Sequence, residues 1–116
     1  MTNDRELLEM AAKAMGIELQ WPFNANTAYP ADQWWKDATE WNPLTDDGDA
    51  LRLAVKLGLN VRWLTLPHAT YVEVYDGKHP SVMEPVADVR QSVDSPLAAT
   101  RRAITRAAAE IGRVMK

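Results

Sequence analysis

The chain has 116 residues, no cysteine and a net charge of −3. That length supports one domain with one core, and 47% hydrophobic with 25% charged residues excludes wholesale disorder. The absent thiols exclude disulfides, thiolate catalysis and cysteine-ligated zinc. The acidic balance counts against a bulk polyanion binder.

Asn3, with Glu6 three positions on, reads as a helix cap. Leu7, Leu8, Ala11, Ala14 and Met15 then recur at helical spacing before Gly16, which predicts a helix over 4–15. Residues 20–44 hold Trp21, Phe23, Tyr29, Trp34, Trp35 and Trp41 among three prolines, without a sustained period. A stretch so long is expected to carry a short helical turn near 32–39, capped by Asp32.

A second helix is expected over 46–57, capped by Thr45 or Asp46. Asp46, Asp47 and Asp49 in its first turn complement the helix dipole, and Gly58 ends it. Its inward stripe reads as Ala50, Leu51, Ala54, Val55 and Leu57. The period then switches to two. Val61 and Trp63 oppose Leu64 and Leu66, and Val72 and Val74 oppose Tyr71, Glu73 and Tyr75. Pro67-His68-Ala69 lies between the two runs, as in an antiparallel hairpin. Large apolar groups on both faces predict cover on both.

Asp76-Gly77 marks a turn toward a further short strand within 78–91, held to an edge by Pro80 and Pro85. Ser95-Pro96 opens the longest helix, expected over 96–114. Leu97, Thr100, Ile104, Ala107, Ala108, Ile111 and Met115 run down one of its faces. The whole is one α+β domain over 1–116, a small antiparallel sheet of two to four strands layered with about three helices. No segment has the apolar length of a signal peptide or a membrane span, so a cytoplasmic setting is expected.

Two blocks are distinctive together. They are Trp41-Asn42-Pro43-Leu44-Thr45-Asp46-Asp47-Gly48-Asp49-Ala50-Leu51-Arg52-Leu53-Ala54, and the late Ala98-Ala99-Thr100-Arg101-Arg102-Ala103-Ile104-Thr105-Arg106-Ala107-Ala108-Ala109-Glu110-Ile111-Gly112. In this pairing the chain resembles the phage ABA-sandwich domain family of short bacteriophage and prophage proteins. The resemblance implies a sheet layered with helices and a place in the host-cell cytoplasm. It carries no activity and no catalytic residues.

Candidate chemistry is sparse. Asp46, Asp47 and Asp49 are the densest carboxylate cluster, but Gly48 comes too early for a calcium loop, and capping explains all three. His68 and His79, with Glu73 or Asp76, are the only basis for acid–base or metal chemistry, and neither histidine sits in a ligand spacing. Nucleophile-elbow and phosphate-loop patterns are missing. No catalytic residue, metal or cofactor is assigned. Arg102, Arg106 and Arg113 share a face of the last helix with Glu110, expected to pair with Arg106. They are the nucleic-acid contacts if there are any.

Five tryptophans exceed what such a core requires. Pinning the 20–44 segment accounts for them at on the order of 200 Å² each. The sharper reading leaves Trp34, Trp35 and Trp41 on a contact surface, because tryptophan is favoured at interface hot spots. A sugar-stacking platform is a lesser variant. The leading expectation is therefore a non-catalytic phage or prophage accessory module that binds a host or phage protein, with no membrane. The alternatives are a small-molecule or metal-dependent enzyme using the histidines, and a weak nucleic-acid binder through the arginine helix.

Overall fold

The described residues form three helices and two antiparallel sheets, with the helices and the larger sheet in the order expected from the periodicities. The computed structural model describes residues 3–22, 27–32, 39–67, 69–86 and 95–115. Helix α1 (Asp4–Met15) begins where Asn3 Oδ1 accepts the Glu6 amide at 2.8 Å. The Glu6 carboxylate answers the Asn3 side-chain amide rather than the main chain. Helix α2 (Asp47–Leu57) is capped by Asp46, whose carboxylate accepts the Asp49 amide at 2.7 Å. It stops at Gly58, whose φ of 66° is a conformation that costs glycine nothing and other residues a Cβ clash. The helical turn expected over 32–39 falls mainly on 33–38, outside the described residues.

The 20–44 segment is less irregular than its sequence implies. Strands β1 (Leu19–Gln20) and β2 (Tyr29–Pro30) pair in a short ladder of their own. Trp41 is tied to this ladder through its amide, which donates to the Ala28 carbonyl at 2.9 Å.

The main sheet has the order β3-β4-β5, from β3 (Asn60–Thr65), β4 (Thr70–Tyr75) and β5 (Val82–Val86). Opposed residues share a face, so the register Val61↔Val74, Trp63↔Val72 and Val74↔Val82 defines the inner side. Val72, Val74 and Val82 are buried there. The other side carries Arg62, Leu64, Tyr71, Glu73, Tyr75 and Met83. Arg62 pairs with Glu73 at 2.6 Å in the middle of it.

Among the described residues, cover forms on one face rather than both. All three helices gather on the inner side, and no described helix packs on the outer side. Leu64 and Tyr71 lie opposite each other on one side of the ion pair and Tyr75, with Arg62 over its ring, on the other, and all three stay half-buried. Large side chains beside an Arg–Glu pair are thus tolerated on a half-solvated sheet.

Helix α3 (Ser95–Val114) runs through the centre of the helical layer. It is buried on more than the single face expected: Ala103, Ile104, Thr105, Ala107, Ala108 and Ala109 are all inaccessible, while Leu97 and Met115 at its ends are exposed. Its alanines let the sheet approach from one side and α1 from another. Asp4 meets Arg102, Met10 meets Gly112 and Lys13 meets the Met115 carbonyl, so α1 and α3 run side by side in the same direction. One apolar cluster joins Leu8 and Ala11 of α1, Leu53 of α2, Val72 and Val74 of β4 and Ile104 of α3. Trp41 belongs to it. Among the described residues no helix is long and apolar enough to cross a membrane.

Candidate functional site

Helix α2 carries two apolar stripes. The expected stripe included Leu51 and Val55. The one that meets the core is Ala50, Leu53, Ala54 and Leu57, at the i, i+3, i+4, i+7 positions of one face. Leu51 and Val55 lie about 100° further round and are 64% and 72% exposed. They face the side of the molecule where β3 is the free edge of the sheet.

There α2, β3 and the first turns of α3 enclose an open apolar groove of about 400 Å³. Ala50, Leu51 and Ala54 form one wall, Val61 and Trp63 the floor along the strand, and Leu97, Thr100 and Ile104 the other wall. Trp63 is 57% and Leu97 49% exposed. One end is closed by Asp47 and Arg101, which pair at 2.7 Å, with Arg101 Nε also donating to the Leu44 carbonyl at 2.9 Å. The groove therefore offers apolar surface and a compensated charge pair. Among its described lining residues the only ionisable groups are Asp47 and Arg101, which pair with each other.

Those sequence-derived site residues that are described lie outside this groove. Trp41 is 6% exposed and in the core, so it cannot form part of a contact surface. Trp34 and Trp35 lie outside the described residues, as does His68. Among the described residues, the tryptophan that faces solvent beside apolar neighbours is Trp63. Its signal in the sequence was present but indirect: a large aromatic on the inward-facing phase of a strand next to a helix with a surplus apolar stripe.

The three aspartates do not converge on one point. Asp46 caps α2, and Asp47 pairs with Arg101. Asp49, 7% exposed, accepts the Asn42 amide at 2.9 Å and Arg52 at 2.7 Å. Each is accounted for by capping or pairing, and among the described residues no group of three potential ligands is close enough to hold a metal ion.

His79 belongs to the turn after β4. Its Nδ1–H donates to Asp76 Oδ2 at 2.7 Å, the tautomer fixed because a carboxylate only accepts. Asp76 Oδ1 accepts the Lys78 and His79 amides, each at 2.8 Å. Burial pushes the Asp76 carboxyl up, but the two amides and the His79 ring outweigh it and hold it down at about 2. This is a turn anchor, far below the range useful for a general base near neutrality.

The arginines of α3 are engaged with carboxylates. Arg106 reaches across to Glu84 of β5 at 2.5 Å instead of pairing with Glu110. Arg102 lies between Glu84 and Asp4 at 3.6 and 3.4 Å, and Arg113 pairs with Glu110. A phosphate would have to compete with these acids at each arginine, which weakens the case for a nucleic-acid face.

Compared with protein-family models, curated proteins and solved structures, the chain gives no significant match in any of the three. The groove and the strand beside it thus rest on their own physical features.

Proposed function

We propose that the protein is a non-catalytic binding module that docks a segment of another protein chain along β3 and into the adjoining groove. One observation carries this reading: a free strand edge lies directly beside a groove where Leu51, Trp63 and Leu97 leave large apolar surface in water. A strand added at such an edge gains main-chain hydrogen bonds, and its alternate side chains fill the groove. Singly exposed apolar residues are ordinary. Three around one groove beside a free edge are the pattern of an interaction site.

The resemblance to the phage ABA-sandwich domain family adds a setting, that of a phage or prophage accessory protein acting in the host-cell cytoplasm. The partner class is then a protein of the phage or the host.

A photo-reactive phenylalanine analogue in place of Leu51, in the full chain in its producing cell, tests the reading. The expected result is a discrete protein adduct that disappears when Trp63→Asp is added. Adducts no stronger than those from the same probe at Arg113, on the far end of α3, would overturn it.

A further inference from the structure

The two edges of the main sheet are not equivalent, and the ladder shows how. Leu66 and Ala69 exchange backbone hydrogen bonds, N–H to carbonyl, at 2.8 and 3.4 Å. Alternation along an antiparallel ladder then makes Leu64/Tyr71, Arg62/Glu73 and Asn60/Tyr75 the bonded pairs. The N–H and C=O groups of Val61, Trp63 and Thr65 consequently point to the free edge of β3.

The same alternation carried across β4 aims Val82, Glu84 and Val86 of β5 inward, toward β4, and leaves Met83 and Pro85 on the outer edge. The missing N–H of Pro85 falls on that edge. One edge is thus blunted by proline, the usual protection against edge-to-edge pairing. The β3 edge has no proline, and no described element covers it.

We infer that the strand which completes β3 is β3 of a second copy of this chain, paired antiparallel about a two-fold axis at Trp63. This rests on the groove reading above and names its occupant. For copies whose helices lie on the same side of the joined sheet, opposed residues must share a face, so the register sum is even. Centring on Trp63 matches Val61 with Thr65 of the second copy, and Trp63 with its own equivalent. All three outward-pointing residues are then used, in about six backbone hydrogen bonds. Centring on Arg62 would set two arginines opposite each other and leave Thr65 unpaired, which disfavours it.

The side chains agree with this register. On the outer face Arg62, held by Glu73, meets Leu64 of the second copy without like-charge opposition. On the inner face the two Trp63 rings meet at the mouths of the two grooves, and the Leu51–Val55 stripes flank the axis. The charges nearest the contact are paired within each chain, Asp47 with Arg101 and Arg62 with Glu73, so among the described residues no unpaired charge there opposes a second copy.

Leu51, Trp63 and Leu97 expose roughly 350 Å² per copy, the size of patch that marks an interaction site. Two copies, with their strand edges, bury roughly 1,000 Å², the lower end of the range for specific, concentration-dependent interfaces. The product is a six-stranded sheet, β5-β4-β3-β3-β4-β5, with a Pro85 edge at both ends. Association is self-limiting.

Sedimentation velocity of the full chain up to about 100 µM, against a Kd of roughly micromolar expected for a small interface, is the test. Wild type is expected to be a concentration-dependent dimer. Thr65→Pro removes only an N–H that points out of the monomer's ladder. It is expected to weaken the dimer at least tenfold while circular dichroism and melting of the monomer stay unchanged. Trp63→Asp provides a second variant on the same contact.

Wild type that stays monomeric throughout the range, or a dimer indifferent to both variants, overturns the inference. The Leu51 photo-adduct separates this failure from failure of the groove itself. A mass twice the 13.0 kDa chain supports self-pairing. An adduct with a different protein, on a monomeric chain, overturns self-pairing and leaves the groove reading standing. No specific adduct removes both.

Discussion

Gly112→Ala sets two effects of opposite sign against each other. Alanine is favoured over glycine in a helix interior by about 1 kcal/mol, so propensity alone predicts a gain. The structure decides otherwise. A Cβ at residue 112 would stand 1.9 Å from the Met10 carbonyl oxygen, 2.8 Å from its carbon and 3.2 Å from the Ala14 nitrogen. These are main-chain atoms of α1 and cannot turn aside as a side chain would. Helix α1 must move away from α3 by more than an ångström, loosening Leu8, Ala11 and Ala12 in the core. Overpacking of this kind costs about 1–3 kcal/mol, with the upper part of the range appropriate where backbone must shift. The expected net loss is roughly 2 kcal/mol, a fall in Tm of about 8 °C. Gly48→Ala is the control. There a Cβ meets only side-chain atoms, the Arg52 guanidinium and the capping Asp46 carboxylate, at 3.2–3.3 Å, which need give by only a few tenths of an ångström. That variant should be neutral or gain up to about 1 kcal/mol. Thermal and urea unfolding of both measure the difference. Equal stability of the two variants would refute the close approach of α1 and α3.

Asp49→Ala should lose about 1–3 kcal/mol in urea unfolding, because the Asn42 amide and Arg52 lose a buried acceptor. Asp47→Ala, which breaks a more exposed pair, should cost no more than about 0.5 kcal/mol. The lowered carboxyl of Asp76 contributes stability that is complete above about pH 4 and is lost as the pH falls toward about 2. Asp76→Asn keeps an acceptor for the turn amides, and its stability should show a shallower decline than wild type across that window. Trp41→Ala should cost about 3–5 kcal/mol. Trp63→Ser, measured at low protein concentration, should stay within about 0.5 kcal/mol of wild type. A large loss at Trp63 would mean that its ring is part of the core.

Elements with strong local signals were legible before the structure. Asn3, Asp46, Gly16 and Gly58 mark the ends of α1 and α2 because caps act through atoms only a few residues apart. Strands β3 and β4 read from alternation, and β5 from its position after Asp76-Gly77, with Pro85 on the edge as expected. The β1–β2 ladder was not legible, since two-residue strands carry no period. The choice between the apolar stripes of α2 was also hidden. Leu53 and Leu51 are chemically equivalent, and only the position of α3 decides which is covered. The partners of the α3 arginines are set by a long-range contact: Glu84 outcompetes Glu110 for Arg106 because β5 passes beside the helix. For the same reason Trp41 is buried while Trp63 is exposed. Local aromatic density marks where apolar mass lies, while burial depends on which elements meet.

Hydrogen exchange at the outward-pointing amides of Val61, Trp63 and Thr65 tests most directly that the β3 edge is the docking surface. These amides have no partner in the monomer's ladder, so they should exchange quickly at high dilution. They should become protected at least tenfold as protein concentration rises, and Thr65→Pro should abolish the protection at Val61 and Trp63. Protection that persists at any dilution would mean that the edge is already covered within the chain. Fast exchange at every concentration, with or without a partner protein, would equally contradict the account.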